Sequence, residues 1–196
     1  MLIAEAKAGK HGAADAFCTG SCPKSKVTPN FMAAVVGTLS VRRRRLLTIK
    51  EFWQEFLAAT NKDSTTEYTE AFHFDLTEKV ANELLALVLS GVKRATASSL
   101  FAYEHKGERI PQVGDYNIIT DWKGKPCCVI ETTAVTALPF NKMTFDICKR
   151  EGEDDTLESW QKSHRRFFTE EGRVLGYKFT EDMPVIFEDF EVIFVK

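Results

Sequence analysis

The chain has 196 residues, 44% of them hydrophobic and 28% charged, with a formal net charge of −2. These values are typical of an ordinary soluble globular protein, and so small a net charge predicts neither nucleic-acid nor membrane binding. No run approaches the roughly 18–20 apolar residues of a membrane span, so we expect no membrane association.

The charge is unevenly distributed. Residues 1–45 carry eight Lys or Arg against two acidic residues, a net charge of +6, which leaves −8 for residues 46–196. This division, with few large apolar residues before Phe31, predicts a basic, loosely structured N-terminal arm ahead of one domain over residues 46–196. The Arg42–Arg45 block is consistent with a solvated linker or with a weak nucleic-acid contact. Cys18, Cys22 and His11 lack a fourth donor, so no metal site is predicted.

The cysteines indicate a reducing compartment. Five is an odd number, and Cys127 and Cys128 are adjacent within a strand-like run, where successive side chains point to opposite faces. They are therefore interpreted as packing residues rather than as a disulfide, and the cytoplasm is the expected location.

The first half of the domain predicts two helices and a short strand. Thr48 and Glu51 have the spacing of a capping box ahead of a helix, and residues 60–69 form a polar loop. A strand is expected over residues 71–74. A second helix then begins after Asp75 or Thr77 and ends at Gly91.

The second half is rich in strand patterns. Two strand-like runs flank residues 121–125, a hairpin signal with glycine at the tip, and the second run extends to Leu138. Residues 140–150 predict a short helix, residues 157–171 a longer one closed by Gly172, and residues 185–195 a strand with a possible break at 188–189. Residues 103–106 are expected in a loop. The order predicts an α+β fold, a small, partly closed β-barrel flanked by helices.

Lys93 and Thr96 are the first candidates for chemistry. They follow Gly91 in a tight connection, where an amine and a hydroxyl can face one cavity. Burial disfavours the charged form of a lysine, so a buried Lys93 could accept the Thr96 proton and later return it to a leaving amine. Glu131, at the end of an apolar strand, could orient the lysine or bind a substrate amine. The alternative is a surface lysine, a turn threonine and an edge glutamate.

Several cofactor and catalytic motifs are missing from the sequence. It contains no GxxxxGK[ST], GxGxxG, HExxH or GxSxG pattern, and its four histidines are scattered. We therefore expect no cofactor, and no metal held by a local motif.

The run Gly91-x-Lys93-x-x-Thr96 after an apolar helix resembles the signature of the ASCH domain, a relative of PUA-like RNA-binding barrels. The resemblance extends over residues 46–196 and includes the Glu51-Phe52-Trp53 helix, the strand entry at Gly114, the strand around Glu131 and the late aromatic helix. It implies a small PUA-like β-barrel surrounded by helices. The implied partners are a nucleoside, a nucleotide or single-stranded RNA.

In the amidohydrolase branch of that family, which removes the acyl group from acylated cytidine, a lysine, a threonine and a glutamate are catalytic. The resemblance assigns these roles to Lys93, Thr96 and Glu131. Other members are described as ribonucleases, and a non-catalytic RNA- or base-binding module is a further alternative. An arginine often stands two residues after the threonine, where this chain has Ser98, and its loss would remove a guanidinium clamp.

The candidate substrate-binding residues are Arg94, Ser98, Trp160 and His164. The last two lie on one helix face with Phe167 and Phe168, and such a stripe usually packs in a core. In the functional alternative, Trp160 or His164 lies at the pocket rim and stacks on a base or bonds to its edge.

Overall fold

The structure is a computed structural model, and it describes residues 46–196. Five helices α1–α5 and five strands β1–β5 alternate irregularly, with short 3₁₀ turns at Phe140–Lys142 and Lys149–Glu151. Their order is α1 Ile49–Thr60, β1 Glu70–Phe72, α2 Glu78–Leu89, β2 Ala95–Ser99, α3 Leu100–Lys106, β3 Tyr116–Thr120, β4 Pro126–Pro139, α4 Phe145–Cys148, α5 Leu157–Leu175 and β5 Pro184–Val195.

The strands form a single sheet in the order β1-β3-β4-β5-β2. The β1–β3 pair is parallel and the other pairs are antiparallel. Strands β4 and β5 pair over most of their length, and their register shifts between Val129 and Ile130 and again between Thr132 and Ala134. Such irregularities bend and twist a strand, so the sheet curls into a half-barrel whose free edges are β1 and β2.

Helices cover both faces of this sheet. Helix α1 packs Phe52 and Phe56 against Ile118 and Val129, whereas α2 packs with the neighbouring sheet residues, including Ile119. Because successive strand residues point to opposite faces, the two helices lie on opposite sides of the β3–β4 hairpin. Helix α5 covers a third cluster built around Phe140, Trp160 and Phe168.

Most of the predicted elements are confirmed. Thr48 and Glu51 form the capping box of α1, residues 121–125 connect the β3–β4 hairpin, and β4 continues to Pro139. Gly91 has φ +74°, as expected for a glycine after a helix end. Cys127 and Cys128 are free thiols, and Cys128 is buried. None of the helices in residues 46–196 is long and apolar enough to span a membrane.

Three local predictions are wrong. Residues 103–106 lie in helix α3, which Ser99 caps through its side chain, and not in a loop. Helix α5 does not end at Gly172 but continues to Leu175 and closes at Gly176. Position 172 requires glycine because a Cβ there would lie 2.4 Å from the carbonyl oxygen of Tyr177. Strand β5 is continuous through residues 188–189. The N-terminal arm, with its cysteines and Arg42–Arg45, lies outside the described residues.

The α5 cluster gives a test of the fold. Phe140 is fully buried, with its ring centroid 5.4 Å from that of Trp160 and 6.2 Å from that of Phe168. We expect Phe140→Ala to lower the free energy of unfolding by about 3–5 kcal/mol, because a buried aromatic ring leaves a cavity.

Phe145→Ala is the matched control. Phe145 is 37% exposed, and its truncation is expected to cost about 1 kcal/mol or less. Urea denaturation of both variants gives the comparison, and equal losses would contradict the placement of Phe140 in the core.

Candidate functional site

A cavity of about 130 Å³ lies where the first residues of β2 meet α2 and α5. Its wall includes Lys93, Thr96, Ser98, Glu151, Glu153 and His164. The chain reaches it through the tight end of α2, where the backbone N–H groups of Val92 and Lys93 both donate to the Leu87 carbonyl. The left-handed turn at Gly91 thus brings Lys93 back toward the sheet instead of leaving it in solvent.

Lys93 is held in an ion-pair cluster. Its side chain is 1% exposed, and its Nζ lies 3.4 Å from Glu151 Oε1 and in direct contact with Glu153 Oε1. The same Nζ lies 5.1 Å from the centroid of the Phe74 ring. A buried ammonium is costly unless it is paired and hydrogen-bonded, and these two carboxylates provide that pairing.

Glu151 connects the ion-pair cluster to strand β2 and helix α5. Its Oε1 accepts the backbone N–H of Ala97 at 2.9 Å, and its Oε2 accepts the indole N–H of Trp160. His164 Nε2 lies 3.3 Å from the same Oε2. One carboxylate thereby joins strand β2, helix α5 and Lys93, so the position of the lysine depends on the packing of both elements.

The surroundings of His164 favour its charged form. Nδ1 lies 3.0 Å from the Trp160 carbonyl oxygen, and Nε2 faces Glu151. Nδ1 also lies 3.4 Å from the Ser163 hydroxyl, and the imidazolium is the form that donates to the Trp160 carbonyl and to Glu151 at the same time. Burial acts to lower the pKa of His164, but Glu151 outweighs it, and the pKa is raised.

Lys93 departs from the expectation of a low pKa. Burial does act to lower the pKa of Lys93, as the sequence suggested, but Glu153 and Glu151 outweigh it, and the pKa is raised. The pKa of Glu151 is lowered to about 2: burial opposes this, and Lys93 and His164 bring it about. The pKa of Glu153 is raised, chiefly because its carboxylate loses solvent. The resting lysine is therefore an ammonium.

Gly152 separates the two carboxylates and fixes their directions. It has φ +69°, and a Cβ there would lie 2.7 Å from the Val92 carbonyl oxygen and 2.7 Å from Val92 Cγ1. Glycine is thus required both for the backbone conformation and for the close approach. The turn places Glu151 inside the cluster, while the side chain of Glu153 is 21% exposed.

A second cavity, of about 230 Å³, is lined by the same edge strand. Thr96 and Ser98 line both cavities. They are two residues apart on β2, so their side chains point to the same face. The second cavity also contacts strand β1, at the opposite edge of the sheet, so it lies across the mouth of the half-barrel.

Comparison with known proteins identifies the domain. The ASCH domain family matches residues 70–194. The chain belongs to the ASCH domain family. An ASCH domain from Lactobacillus crispatus JV V101 is 38% identical, with a TM-score of 0.68 over 74% of this chain and 93% of that one. A protein from Enterococcus faecalis V583, described as DUF984, is 36% identical, with a TM-score of 0.69 over 75% of this chain and 88% of that one. No protein with a curated description matches.

The ASCH domain brings together four of the predicted site residues. Lys93, Thr96, Ser98 and His164 all line the first cavity. Trp160 lies behind it, fully buried and stacked on the His164 ring with centroids 4.0 Å apart. Trp160 is therefore a core packing residue and does not lie at the rim of the pocket.

Arg94 and Glu131 lie elsewhere. Arg94 is exposed, and its backbone pairs with Arg150 and Phe190. Glu131 is opposite Tyr116 on β3, whose hydroxyl accepts a hydrogen bond from Lys62 at 2.8 Å. Neither residue lines either cavity, so the structure does not bring the predicted Lys93–Thr96–Glu131 set together.

The carboxylates beside Lys93 were missed from the sequence. Glu151 and Glu153 lie in the acidic run 151–155, which resembles a solvated loop before a helix. The available signal was Gly152, since a glycine between two acids after a short helix marks a left-handed turn that can aim them apart. Nothing local in the sequence shows that Glu151 would be buried against α5.

His164 provides a pH-dependent test of this network. Its folded pKa is expected above the reference value of about 6.5, because Glu151 stabilises the imidazolium. The stabilisation it gives is therefore complete below that reference value and is lost as the pH rises through the raised folded pKa. The His164 ring-proton titration by NMR measures the midpoint directly.

Two carboxamide variants control the titration. Glu151→Gln removes the charge and should lower the His164 midpoint, whereas Glu158→Gln, an exposed change on the same helix, should leave it in place. A wild-type midpoint at or below 6.5, or an unchanged midpoint in Glu151→Gln, would contradict the proposed pairing.

Substitution of Gly152 tests the tight turn between Glu151 and Glu153. Gly152→Ala is expected to cost more stability than Gly124→Ala. Both glycines have positive φ, which costs about 1–2 kcal/mol for alanine, but no atom lies within 4 Å of a Cβ at position 124. The clash with Val92 adds roughly 1–3 kcal/mol at position 152. Urea denaturation measures the free energy of unfolding of both variants. Equal decreases would contradict the close approach of Val92 to position 152.

Proposed function

We propose that this ASCH domain binds an acylated nucleoside at the first cavity and hydrolyses its amide-like bond, with Thr96 as the nucleophile. The observation that carries the proposal is that Thr96 shares this cavity with a buried lysine paired to two carboxylates. A hydroxyl is a weak nucleophile unless a neighbouring group accepts its proton, and we assign that task to Lys93, which lines the same cavity.

The Lys93–Glu153 contact supplies a route to a basic lysine. Burial disfavours the charges of both partners, and it is the largest influence on each. Transfer of one proton from the ammonium to Glu153 replaces a buried ammonium and a partly exposed carboxylate with a neutral amine and a neutral acid. Closure of the cavity over a substrate would remove further water and favour this neutral pair.

The reaction then runs in two displacements. Thr96 Oγ attacks the acyl carbon while its proton passes to the neutral Lys93 Nζ, and the C–N bond breaks as that proton moves to the leaving nitrogen. The acyl group is left as an ester on Thr96. A water molecule then gives a proton to Lys93 Nζ and attacks the ester carbon. The C–O bond to Thr96 breaks as Lys93 returns that proton to Thr96 Oγ, which releases a carboxylic acid and the free threonine.

In this proposal Glu151 takes the orienting role that the sequence assigned to Glu131. Glu151 contacts Lys93 and is fixed by Ala97 and Trp160. It keeps the lysine beside Glu153 without being consumed in the reaction. Its low pKa suits this role, because it remains an anion throughout.

The size and charge of the site favour a nucleoside over a nucleic-acid strand. A cavity of about 130 Å³ admits an acyl group and the edge of a base, not a whole nucleoside. Its cations Lys93 and His164 already face carboxylates, which leaves Arg166 as the cationic lining residue for a phosphate. An extended RNA contact needs several clustered cations.

A non-catalytic base-binding module is the second candidate. It is favoured by the extent to which Lys93 and His164 are already engaged, since a fully paired network is rigid and suits recognition. In that case the same cavity binds a base edge and Thr96 serves only as a hydrogen-bonding group.

Substitution of Thr96 separates the two candidates. Thr96→Ala is expected to lower the turnover of acylated cytidine by at least about a thousandfold, since removal of a nucleophile eliminates the covalent route. Binding of the same compound, measured by calorimetry, should change by less than about tenfold. Thr96→Ser keeps a hydroxyl and should retain measurable turnover.

Thr136→Ala is the matched control, because Thr136 is an exposed threonine on strand β4. It should retain wild-type turnover within about twofold. If the parent protein binds cytidine or short RNA but releases no acyl group from any nucleoside, the hydrolase proposal fails and the binding module stands.

A further inference from the structure

The second cavity is separate from the proposed hydrolytic chemistry and has its own polar lining. It lies between the two edges of the half-barrel and is bounded on one side by helix α3, through Tyr103. The lining residues that could bind a ligand through polar groups or an aromatic ring are Glu70, Phe72, Ser98, Tyr103, Asn117 and Glu188.

Asn117 presents a side-chain amide to the second cavity. Its residue is 6% exposed, it lines the second cavity, and its carboxamide has no hydrogen-bond partner among the residues that the structure describes. Its side chain borders the open space of the cavity, so the carboxamide is available to hydrogen-bond a ligand there. On the neighbouring strand β1, Glu70 is the residue paired with Asn117, so the two residues are adjacent in the sheet.

Glu188 presents a second buried polar group to the same space. It is 6% exposed and is opposite Thr96 in the β2–β5 pairing. The Thr132 hydroxyl donates to its Oε1 at 2.5 Å. Its pKa is raised, mainly by burial against the opposing effect of Thr132, with further contributions from Asp115, Glu70 and Asp189. This carboxylate lacks a cation.

The other charges around the cavity do not supply one. Arg109 is engaged by Asp115 through two contacts of 2.6 and 2.7 Å, and Glu108 lies 3.7 Å from Lys106. Within residues 46–196, no Lys, Arg or His side chain forms an ion pair with Glu188. The same part of the chain holds no group of side chains arranged to bind a metal ion. The cavity therefore combines one carboxylate without a cationic partner, Glu188, with a side-chain amide that faces the open space.

We infer that the second cavity binds a compact organic cation of the ammonium or amidinium class. Its N–H groups donate to the Glu188 carboxylate and to the Asn117 side-chain oxygen, and its apolar part lies against the buried Phe72 ring. A cation in contact with an aromatic face and a carboxylate gains from both interactions once water is excluded. The hydroxyls of Ser98 and Tyr103 accept any remaining N–H.

Three isosteric probes test the inference on the unmodified protein. Benzamidine is a planar cation, benzamide has nearly the same shape without charge, and benzoate carries the opposite charge. Benzamidine should raise the melting temperature and shift the NMR signals of the Asn117 side-chain amide and of the backbone N–H of Ser98. Benzamide and benzoate at the same concentration should do neither.

Variants locate the binding. Glu188→Gln should weaken benzamidine binding by about tenfold or more, because a charge-assisted hydrogen bond is lost, and Asn117→Ala should weaken it severalfold. Glu191→Gln, an exposed change on the same strand, should leave the affinity unchanged. If a variant does not fold, the comparison of the three probes on the wild-type protein still decides the matter.

The inference is overturned if the three probes bind equally, or if benzamidine shifts signals only away from Asn117 and Ser98. It is also overturned if folded Glu188→Gln and Asn117→Ala bind benzamidine as tightly as the wild type. None of these readouts depends on turnover of an acylated nucleoside, so failure here and failure of the hydrolase proposal are distinguishable.

Discussion

The buried Glu151 carboxylate is the interaction on which the site depends. A carboxylate without solvent is stable only when its oxygens are fully engaged, and here they accept from Trp160 and the Ala97 backbone and face Lys93 and His164. Those partners come from helix α5, strand β2 and the end of helix α2. The same contacts that satisfy one charge therefore bind three elements together and fix the direction of the lysine.

The two cavities differ in charge although they share a strand. The first contains Lys93 and His164 balanced by Glu151 and Glu153, whereas the second contains Glu188, which forms no ion pair with a cation among the described residues. Thr96 and Ser98 stand between them, because β2 is an edge strand with no further strand beyond it. A ligand that spans both would meet a hydroxyl at the boundary, with paired charges on one side and the Glu188 carboxyl group on the other.

The main elements of the fold could be predicted from the sequence because their signals are local. The capping box at Thr48, the glycine turn at Gly91 and the hairpin around residues 121–125 are each decided by neighbouring residues. Prediction failed where a local signal had a different tertiary cause. Gly172 resembles a helix end, but it is small because Tyr177 passes against it inside helix α5.

The sequence by itself indicated the type of domain and that Lys93 and Thr96 would face one cavity, since three residues separate them after a helix-ending glycine. Only the tertiary structure decided which carboxylate joins them. The sequence alone does not distinguish Glu131 from Glu151. In the fold, Glu131 on strand β4 is paired with Tyr116, whereas the turn at Gly152 directs Glu151 inward. The protonation of Lys93 was likewise decided by that choice, because a buried lysine becomes neutral or stays charged according to the carboxylates that the fold places beside it.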